Sequence, residues 1–150
     1  MEYGTITLEQ KLGQERSAIR QARRYIDDHF DQGISLTELA DHVALSPYYL
    51  LRVFRAEVGM PPYTYLESVR IRRAQRLIEA GKPLAEVAVE AGFSSQSHLT
   101  HRFKQIIGVT PDTLAYAICT VFRHFTSHHP IHQATFHTPL PRSRTRLDSL

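Results

Sequence analysis

An internal repeat constrains this chain more than any other feature, because one pattern of residues occurs twice within 150 residues. The first copy starts at Leu36 and reads LTELADHVALSPYYLLRVFRAEVGMPP. The second copy starts at Leu84 and reads LAEVAVEAGFSSQSHLTHRFKQIIGVTP. Apolar, small and glycine positions coincide if Ser46 is matched with Ser94 and the second copy then carries one extra residue. A repeated supersecondary unit predicts two copies of one small fold.

Each copy is typical of a short helix, a turn of three or four residues and a longer helix. In the first copy, Ser35 with Glu38 three residues later predicts a capping box at the first helix. Ser46 followed by Pro47 predicts the start of the second helix, and Gly59 predicts its end. This is the layout of a helix-turn-helix unit, whose second helix can enter the major groove of DNA.

Helical spacing of apolar residues also dominates the rest of the chain up to about residue 118. The sequence has no long period-two alternation and no Asn-Gly or Asp-Gly turn, so strands are not expected. An apolar face from Ile19 to Phe30 predicts a first helix that ends at Gly33. Pro111 opens a last helix, which we expect to run to about Cys119. The fold class that follows is all-α, with seven helices.

These helices divide the chain into three parts. We expect residues 1–14 to form a short lead, residues 15–118 a helical DNA-binding domain, and residues 119–150 a disordered tail that holds five of the nine histidines. In the second unit, either Ser94 or Ser95 can cap the longer helix. The predicted ranges are about 35–58 for the first helix-turn-helix, about 62–80 for a linker helix and about 83–107 for the second helix-turn-helix.

The linker helix sets the spacing of the two units. A helix of about 19 residues is roughly 28 Å long, which is close to the length of about 34 Å of one turn of DNA. One monomer can therefore place its two reading helices in successive major grooves. Because the two reading helices differ in sequence, the DNA site is expected to be asymmetric.

Composition excludes several classes of protein. Eighteen Lys and Arg against 15 Asp and Glu give a net charge of +3, which permits nucleic-acid binding without requiring it. The sequence has no apolar run of about 18 residues and no secretory signal, so we expect no membrane partner and a cytoplasmic location. Cys119 is the single cysteine, which excludes an intrachain disulfide and a paired-cysteine zinc site.

The second copy carries a specific motif between Ala88 and Pro111, which reads A-x-x-x-G-F-x-x-x-S-x-L-x-x-x-F-K-x-x-x-G-x-x-P. The first copy contributes L-x-x-L-A and S-x-x-x-L-x-R-x-F. Through these motifs, residues 16–116 resemble the DNA-binding domain of the AraC/XylS family of bacterial transcription regulators. The resemblance implies seven helices, two helix-turn-helix units, and binding to double-stranded promoter DNA to recruit or block RNA polymerase.

The resemblance also implies a mode of action. Only about 15 residues precede the similar region, so the chain resembles the small stand-alone members of the family, which bind DNA as monomers. Activation is the commoner mode in the family, and we therefore expect an activator that contacts RNA polymerase.

In the first unit, the resemblance places base contacts at Tyr48, Leu51 and Arg52. Arg52 can donate two hydrogen bonds to a guanine edge, although a phosphate-facing or solvated arginine is the alternative. Leu51 departs from the polar residues that are frequent at this place, so it can only contact a thymine methyl group. Tyr48 can lie against a thymine methyl group or donate to a phosphate, and simple packing at the helix start is its alternative.

In the second unit, the expected base contacts are Gln96, Ser97 and His101. Gln96 suits adenine, and His101 stands where arginine is frequent in the family and is a weaker, pH-sensitive donor. Phosphate contacts are expected from helix N-termini and from basic or polar residues of the reading helices. They are Ser35, Ser46, Arg55, Ser94, His98, Thr100 and Lys104.

The densest basic cluster lies in the linker helix, at Arg70, Arg72, Arg73 and Arg76. Arg72 and Arg76 are four residues apart and share a face that can meet DNA or polymerase. The alternative is a solvated face with local ion pairs, such as Glu79 with Arg76.

Other functions have less support in the sequence. Cys119 with His124 is the one nucleophile–base pair, and there is no glycine-rich phosphate loop, so we expect neither an enzyme nor a cofactor. His124 and His128 are spaced for one helix face, but Pro130 interrupts the segment, and we expect no metal site. The alternative functions are a protein-docking helical module and a fragment of a larger regulator that lacks its sensor domain.

Overall fold

In the computed structural model, the described residues are 7–127, and they form seven α-helices and no strand, as the sequence predicts. The helices are α1 (Leu8–Asp28), α2 (Leu36–His42), α3 (Pro47–Val58), α4 (Pro62–Glu79), α5 (Leu84–Glu90), α6 (Gln96–Ile107) and α7 (Pro111–Ser127). Helices α2 and α3 form the first helix-turn-helix unit, α5 and α6 form the second, and α4 joins them. None of these helices is both long and apolar enough to cross a membrane.

Each unit has its own hydrophobic core, and α4 contributes to both. The first half of α4 packs with α1, α2 and α3 through residues such as Val69. Its second half packs with α5, α6 and α7 through residues such as Leu77. A fully buried phenylalanine of the longer helix lies in each core, Phe54 in α3 and Phe103 in α6. The linker helix is therefore part of both units rather than a free spacer between them.

The two longer helices begin at equivalent serine caps. Ser46 Oγ accepts a hydrogen bond from the Tyr49 N–H at 3.3 Å, and Ser95 Oγ accepts one from the His98 N–H at 3.1 Å. Matching Ser46 with Ser94 is therefore wrong, and the extra residue of the second copy lies before the cap. Ser94 Oγ instead lies 3.1 Å from His98 Nδ1 in a side-chain hydrogen bond.

The first helix differs from the prediction at both ends. It starts directly after Thr7, whose side chain forms a full capping box with Gln10, so half of the predicted lead at 1–14 is helical. It ends at Asp28 rather than at Gly33. The early end has a tertiary cause, because carbonyl groups of the segment that follows Asp28 accept hydrogen bonds from α4.

The capping box predicted at α2 is only half formed. Ser35 Oγ accepts a hydrogen bond from the Glu38 N–H at 3.1 Å, as expected. The Glu38 carboxylate, however, accepts a hydrogen bond from the Tyr25 hydroxyl at 2.7 Å. Glu38 thus connects α2 to α1.

The last helix is longer than predicted, because α7 runs to Ser127 rather than to about Cys119. Apolar residues continue beyond Cys119, and no proline interrupts the helical pattern before Pro130. The first part of the predicted tail at 119–150 is therefore helical. The remainder of that prediction lies outside the described residues.

A close contact joins the second unit to the end of α1. A Cβ atom added to Gly92 would lie 2.8 Å from both Asp31 Cα and the Phe30 carbonyl oxygen. Arg70 of α4 donates from Nε to the Phe30 carbonyl and from Nη2 to the Gln32 carbonyl, each at 2.7 Å. Burial among these groups lowers the pKa of Arg70. We call this contact of Gly92, Phe30, Asp31, Gln32 and Arg70 the junction.

Candidate nucleic-acid interface

The first reading helix, α3, separates a buried face from an exposed one. Leu50 and Phe54 are fully buried, which leaves the predicted base-contacting positions on the outside. The Tyr48 side chain is 79% exposed, Leu51 is 37% exposed, and Arg52 is also exposed. The three predicted residues of α3 are therefore available to a ligand that lies along this helix.

Tyr49 lies between the exposed face of α3 and helix α1. Its hydroxyl donates a hydrogen bond to the Glu15 carboxylate, which raises the pKa of Tyr49. The Arg52 guanidinium carbon lies 5.0 Å from the centre of the Tyr49 ring, within the range of a cation–π contact. Tyr49 thus attaches α3 to α1 and supports the Arg52 side chain from one side.

The second reading helix, α6, repeats this division. Leu99 and Phe103 are fully buried, while Gln96, Ser97 and His101 are exposed. The predicted base-contacting residues of α6 thus share the accessible side of the helix, as those of α3 do. Their chemistry differs, because α6 presents an amide, a hydroxyl and an imidazole where α3 presents a phenol, an alkyl group and a guanidinium.

Two contacts restrain the side chain of His98. Besides the hydrogen bond with Ser94, its ring packs edge-on against Phe93 with 5.4 Å between ring centres. The side chain is half-buried. Ser94 and His98, which we predicted as separate phosphate contacts, therefore form one polar pair at the start of α6.

A buried ion pair attaches α6 to the linker helix, and sequence reasoning missed it. Arg102 Nη2 contacts the carboxylate of Glu67, which is only 3% exposed. Arg102 Nε is also buried and has no hydrogen-bond partner among the described residues. The available signal was the register, since Arg102 takes the place of Val53 in the repeat. An arginine at an apolar position predicts a buried acidic partner.

The predicted phosphate contacts lie near helix ends. The Ser35 and Ser46 caps occupy the N-termini of α2 and α3, where the first N–H groups of a helix lack partners within it and favour anions. Arg55 and Lys104 are exposed and occupy equivalent places in the last turns of α3 and α6. Thr100 is half-buried on α6.

The described residues include only part of the residues considered for other chemistry. Among the described residues, no group of three or more His, Cys, Asp or Glu side chains could hold a metal ion. Cys119 is exposed on α7. The side chain of His124 and the histidines after Ser127 lie outside the described part of the chain.

Comparison with known proteins agrees with this geometry. A family model described as a helix-turn-helix domain matches residues 39–115, slightly more than half of the chain. The arabinose operon regulatory protein of Escherichia coli strain K12 is 34% identical over 95 residues, which cover 62% of this chain and 32% of that protein. The C-terminal domain of AraT, a response regulator from Geobacillus stearothermophilus, is 28% identical with a TM-score of 0.64, covering 81% of this chain and 93% of that chain. This chain belongs to the AraC/XylS family.

A solved complex with DNA adds to the comparison. The DNA-binding domain of AdpA, a global transcriptional factor determined in complex with a target DNA, is 25% identical with a TM-score of 0.65. The match covers 75% of this chain and 98% of that one. As predicted, the chain carries the helix-turn-helix DNA-binding domain of this family of transcription regulators. The chain spans about a third of the length of the curated relatives it matches, and its resemblance to the stand-alone members stays a prediction.

Proposed function

We propose that this protein binds an asymmetric promoter site as a monomer, with α3 and α6 in successive major grooves of the duplex. The observation that carries the proposal is the presence of two reading helices in one chain, each with an exposed polar face. The linker α4 has 18 residues, a length of about 27 Å, close to the repeat of about 34 Å in DNA. Because α4 belongs to both hydrophobic cores, it supports a constant spacing of the two helices.

The two halves of the DNA site should differ in sequence, because α3 and α6 present different side chains to the bases. In the first half, Arg52 contacts guanine through two hydrogen bonds, and Tyr48 and Leu51 contact thymine methyl groups. In the second half, Gln96 contacts adenine through its amide, with Ser97 beside it. His101 completes this half as a further donor. Sequence preference is expected to be stronger where Arg52 binds, since a bidentate guanidinium discriminates best.

Phosphate contacts fix the protein on the duplex without reading sequence. We assign them to Arg55 and Lys104 at equivalent places of the reading helices, to the helix starts, and to polar side chains near the start of α6. The residues at these other places are Ser35, Ser46, Ser94, His98 and Thr100. Each contact releases counterions, so affinity for DNA should fall steeply with salt.

Selection of bound sequences from a random duplex pool tests the proposal. Wild-type protein should select two unlike half-sites whose centres lie about one helical turn apart. Arg52→Ala should lose preference in one half-site and Gln96→Ala in the other, each at a cost of about 1–3 kcal/mol. Arg24→Ala removes an exposed arginine of α1 and should select the wild-type motif.

Two other results would contradict it. A palindromic motif bound by two chains would exclude the monomeric mode. Salt-sensitive binding without any motif, unchanged in Arg52→Ala and Gln96→Ala, would favour a protein-docking module instead.

We further propose that the bound protein recruits RNA polymerase and activates transcription. The support is the family to which the chain belongs, in which activation is the commoner mode. Transcription in vitro from a core promoter with the selected motif upstream should rise when the protein is added. A fall in transcript, reversed by mutation of the motif, would identify a repressor.

A further inference from the structure

A groove of about 390 Å³ lies between the second half of α1 and one side of α4. Four of its eight lining residues are arginines, Arg23 from α1 and Arg72, Arg73 and Arg76 from α4. The lining contains one carboxylate, that of Asp27. None of the lining residues belongs to α3 or α6, so the groove is separate from both reading helices.

The α1 side of the groove is ordered by a tyrosine. The buried Tyr65 donates from its hydroxyl to Asp27 Oδ1 at 3.1 Å, and accepts a hydrogen bond from Arg23 Nε at 3.4 Å. The Arg23 guanidinium carbon also lies 5.4 Å from the centre of the Tyr65 ring. Asp27 therefore accepts from a neutral hydroxyl and forms no ion pair with an arginine among the described residues. Within the described part of the chain, the terminal nitrogens of Arg23 make no hydrogen bond and are available as donors.

The α4 side has unused donors as well. Arg72 donates only from Nε, to the Ser68 carbonyl at 3.4 Å, and within residues 7–127 Arg73 and Arg76 make no side-chain hydrogen bond or ion pair. The local pair of Glu79 with Arg76, considered from the sequence, is absent because Glu79 accepts from Gln75 Nε2 at 3.2 Å. Three guanidinium groups thus lie on one side of the groove without a carboxylate of their own.

We propose that this groove binds a small anion with two or more negative charges, held between Arg23 on one side and Arg72 and Arg76 on the other. Guanidinium groups pair with phosphate or carboxylate oxygens through two parallel hydrogen bonds, and clustered arginines repel one another until an anion lies between them. The volume exceeds the needs of a single inorganic ion. Phe30 and Val69 add an apolar part to the lining, which suits the carbon skeleton of an organic phosphate or polycarboxylate.

Calorimetric titration of the full chain with pyrophosphate, and separately with citrate, tests the proposal at constant ionic strength. At least one of the two probes should bind saturably with one molecule per chain. Arg72→Gln combined with Arg76→Gln should weaken that binding at least tenfold. Arg16→Gln, which removes an exposed α1 arginine outside the groove, should leave it unchanged, and circular dichroism checks that both variants fold.

A second titration, with DNA present, distinguishes binding of a free anion from binding of the phosphates of the duplex. For a free-anion site, DNA bound at the selected motif should leave the affinity for the probe unchanged. The proposal is overturned if neither probe binds saturably or if Arg16→Gln weakens binding as much as the double variant does. It is also overturned if DNA displaces the probe and the double variant reduces the salt dependence of DNA binding by about two phosphates, because the groove then binds the DNA backbone.

Discussion

The two helix-turn-helix units share one layout but differ in how their turns are constrained. After the first helix of each unit the chain turns through a positive φ, at Ala44 (54°) and at Gly92 (79°). The next residue closes the turn in both, with Leu45 N–H donating to the Ala40 carbonyl at 3.0 Å and Phe93 N–H making the equivalent bond at 2.9 Å. The first unit therefore accepts an alanine where the second has a glycine. The difference shows that backbone conformation alone does not require the glycine.

The requirement comes from the junction, where Gly92 approaches the backbone of Phe30 and Asp31. Ala44 of the first unit is exposed, whereas Gly92 of the second unit is packed against the end of α1. A position that is tolerant in one copy of a repeat is thus restricted in the other by a contact with the segment that follows α1.

The two reading helices also differ in how they are attached to the rest of the molecule. Helix α3 is attached to α1 by the half-buried hydrogen bond of Tyr49 with Glu15. Helix α6 is attached to α4 by the buried pair of Arg102 with Glu67. A half-buried hydrogen bond contributes about 1 kcal/mol, whereas removal of one partner of a buried pair leaves an unpaired charge and costs several times more. We therefore expect the second unit to be the more sensitive to single substitutions.

The largest effect is expected at the turns. Gly92→Ala introduces a side chain at positive φ against fixed backbone atoms and should lower the free energy of unfolding by about 3 kcal/mol or more. Ala44→Gly relieves the positive φ but increases the freedom of the unfolded chain, so it should change stability by less than about 1 kcal/mol. Urea denaturation measures both values, and equal effects would show that the junction does not restrict Gly92.

Loss of the buried ion pair should have the next largest effect on the free energy of unfolding. Glu67→Gln leaves the Arg102 guanidinium without its anionic partner and should lower the free energy of unfolding by about 2–3 kcal/mol. Glu15→Gln, the matched change at α3, should cost about 1 kcal/mol or less. Glu67→Leu combined with Arg102→Leu should recover most of the loss, because an apolar pair avoids desolvation of the charges.

Denaturation of Glu67→Leu, Arg102→Leu and the double leucine variant gives the coupling energy of this pair. A coupling near zero would mean that Arg102 and Glu67 stabilise the second unit independently. Affinity for the selected DNA is a second measurement on the same variants. If the double leucine variant regains stability but not preference in the second half-site, the pair also positions α6.

Local signals in the sequence were sufficient for the helices that position the interface. Ser46 with Pro47 starts α3, and left-handed glycines end α3 and α6 at Gly59 and Gly108, because caps and stops depend on neighbouring residues. The exposed faces of the reading helices also follow from the 3.6-residue period. These are the parts of the molecule for which residues close in sequence decide the structure.

Long-range contacts decided the rest. The end of α1 depends on Arg70, about 40 residues away, and the position of α6 depends on Glu67. The N-terminal half of α1 was missed because its apolar residues, such as Leu8 and Leu12, are exposed and mark no buried face. Two adjacent serines left the start of α6 open, and only the hydrogen bond to the His98 N–H assigns the cap to Ser95.

Replacement of a capping serine should have a smaller effect on the free energy of unfolding. Ser46→Ala and Ser95→Ala should each lower the free energy of unfolding by about 1 kcal/mol, because each removes the acceptor for an N–H group in the first turn. Ser94→Ala, one residue away, should have a clearly smaller effect on stability. Thermal or urea denaturation compares the three variants. A larger loss for Ser94→Ala than for Ser95→Ala would restore the match of Ser46 with Ser94.

The smallest expected effect appears at alkaline pH. There the bond that attaches α3 to α1 should lose its contribution to stability, unlike the pair that attaches α6 to α4. The hydrogen bond from Tyr49 to Glu15 raises the pKa of Tyr49 above its usual value of 10.0. The unfolded chain then loses the proton first, so this contribution to stability is complete below pH 10 and disappears as the pH rises through the higher folded value. The attachment of α6 by Arg102 and Glu67 involves no tyrosine hydroxyl and has no counterpart of this contribution.

Urea denaturation from about pH 8 to pH 12 measures this decline in the wild type and in Tyr49→Phe. The variant should lose stability less steeply above pH 10, although part of the slope should remain because the hydrogen bond to Glu38 raises the pKa of Tyr25 as well. Tyr116→Phe, at an exposed tyrosine of α7, is the matched control and should follow the wild type. Parallel curves for Tyr49→Phe and the wild type would mean that the bond to Glu15 does not hold α3 in solution, and the first reading helix would then depend on its hydrophobic core alone.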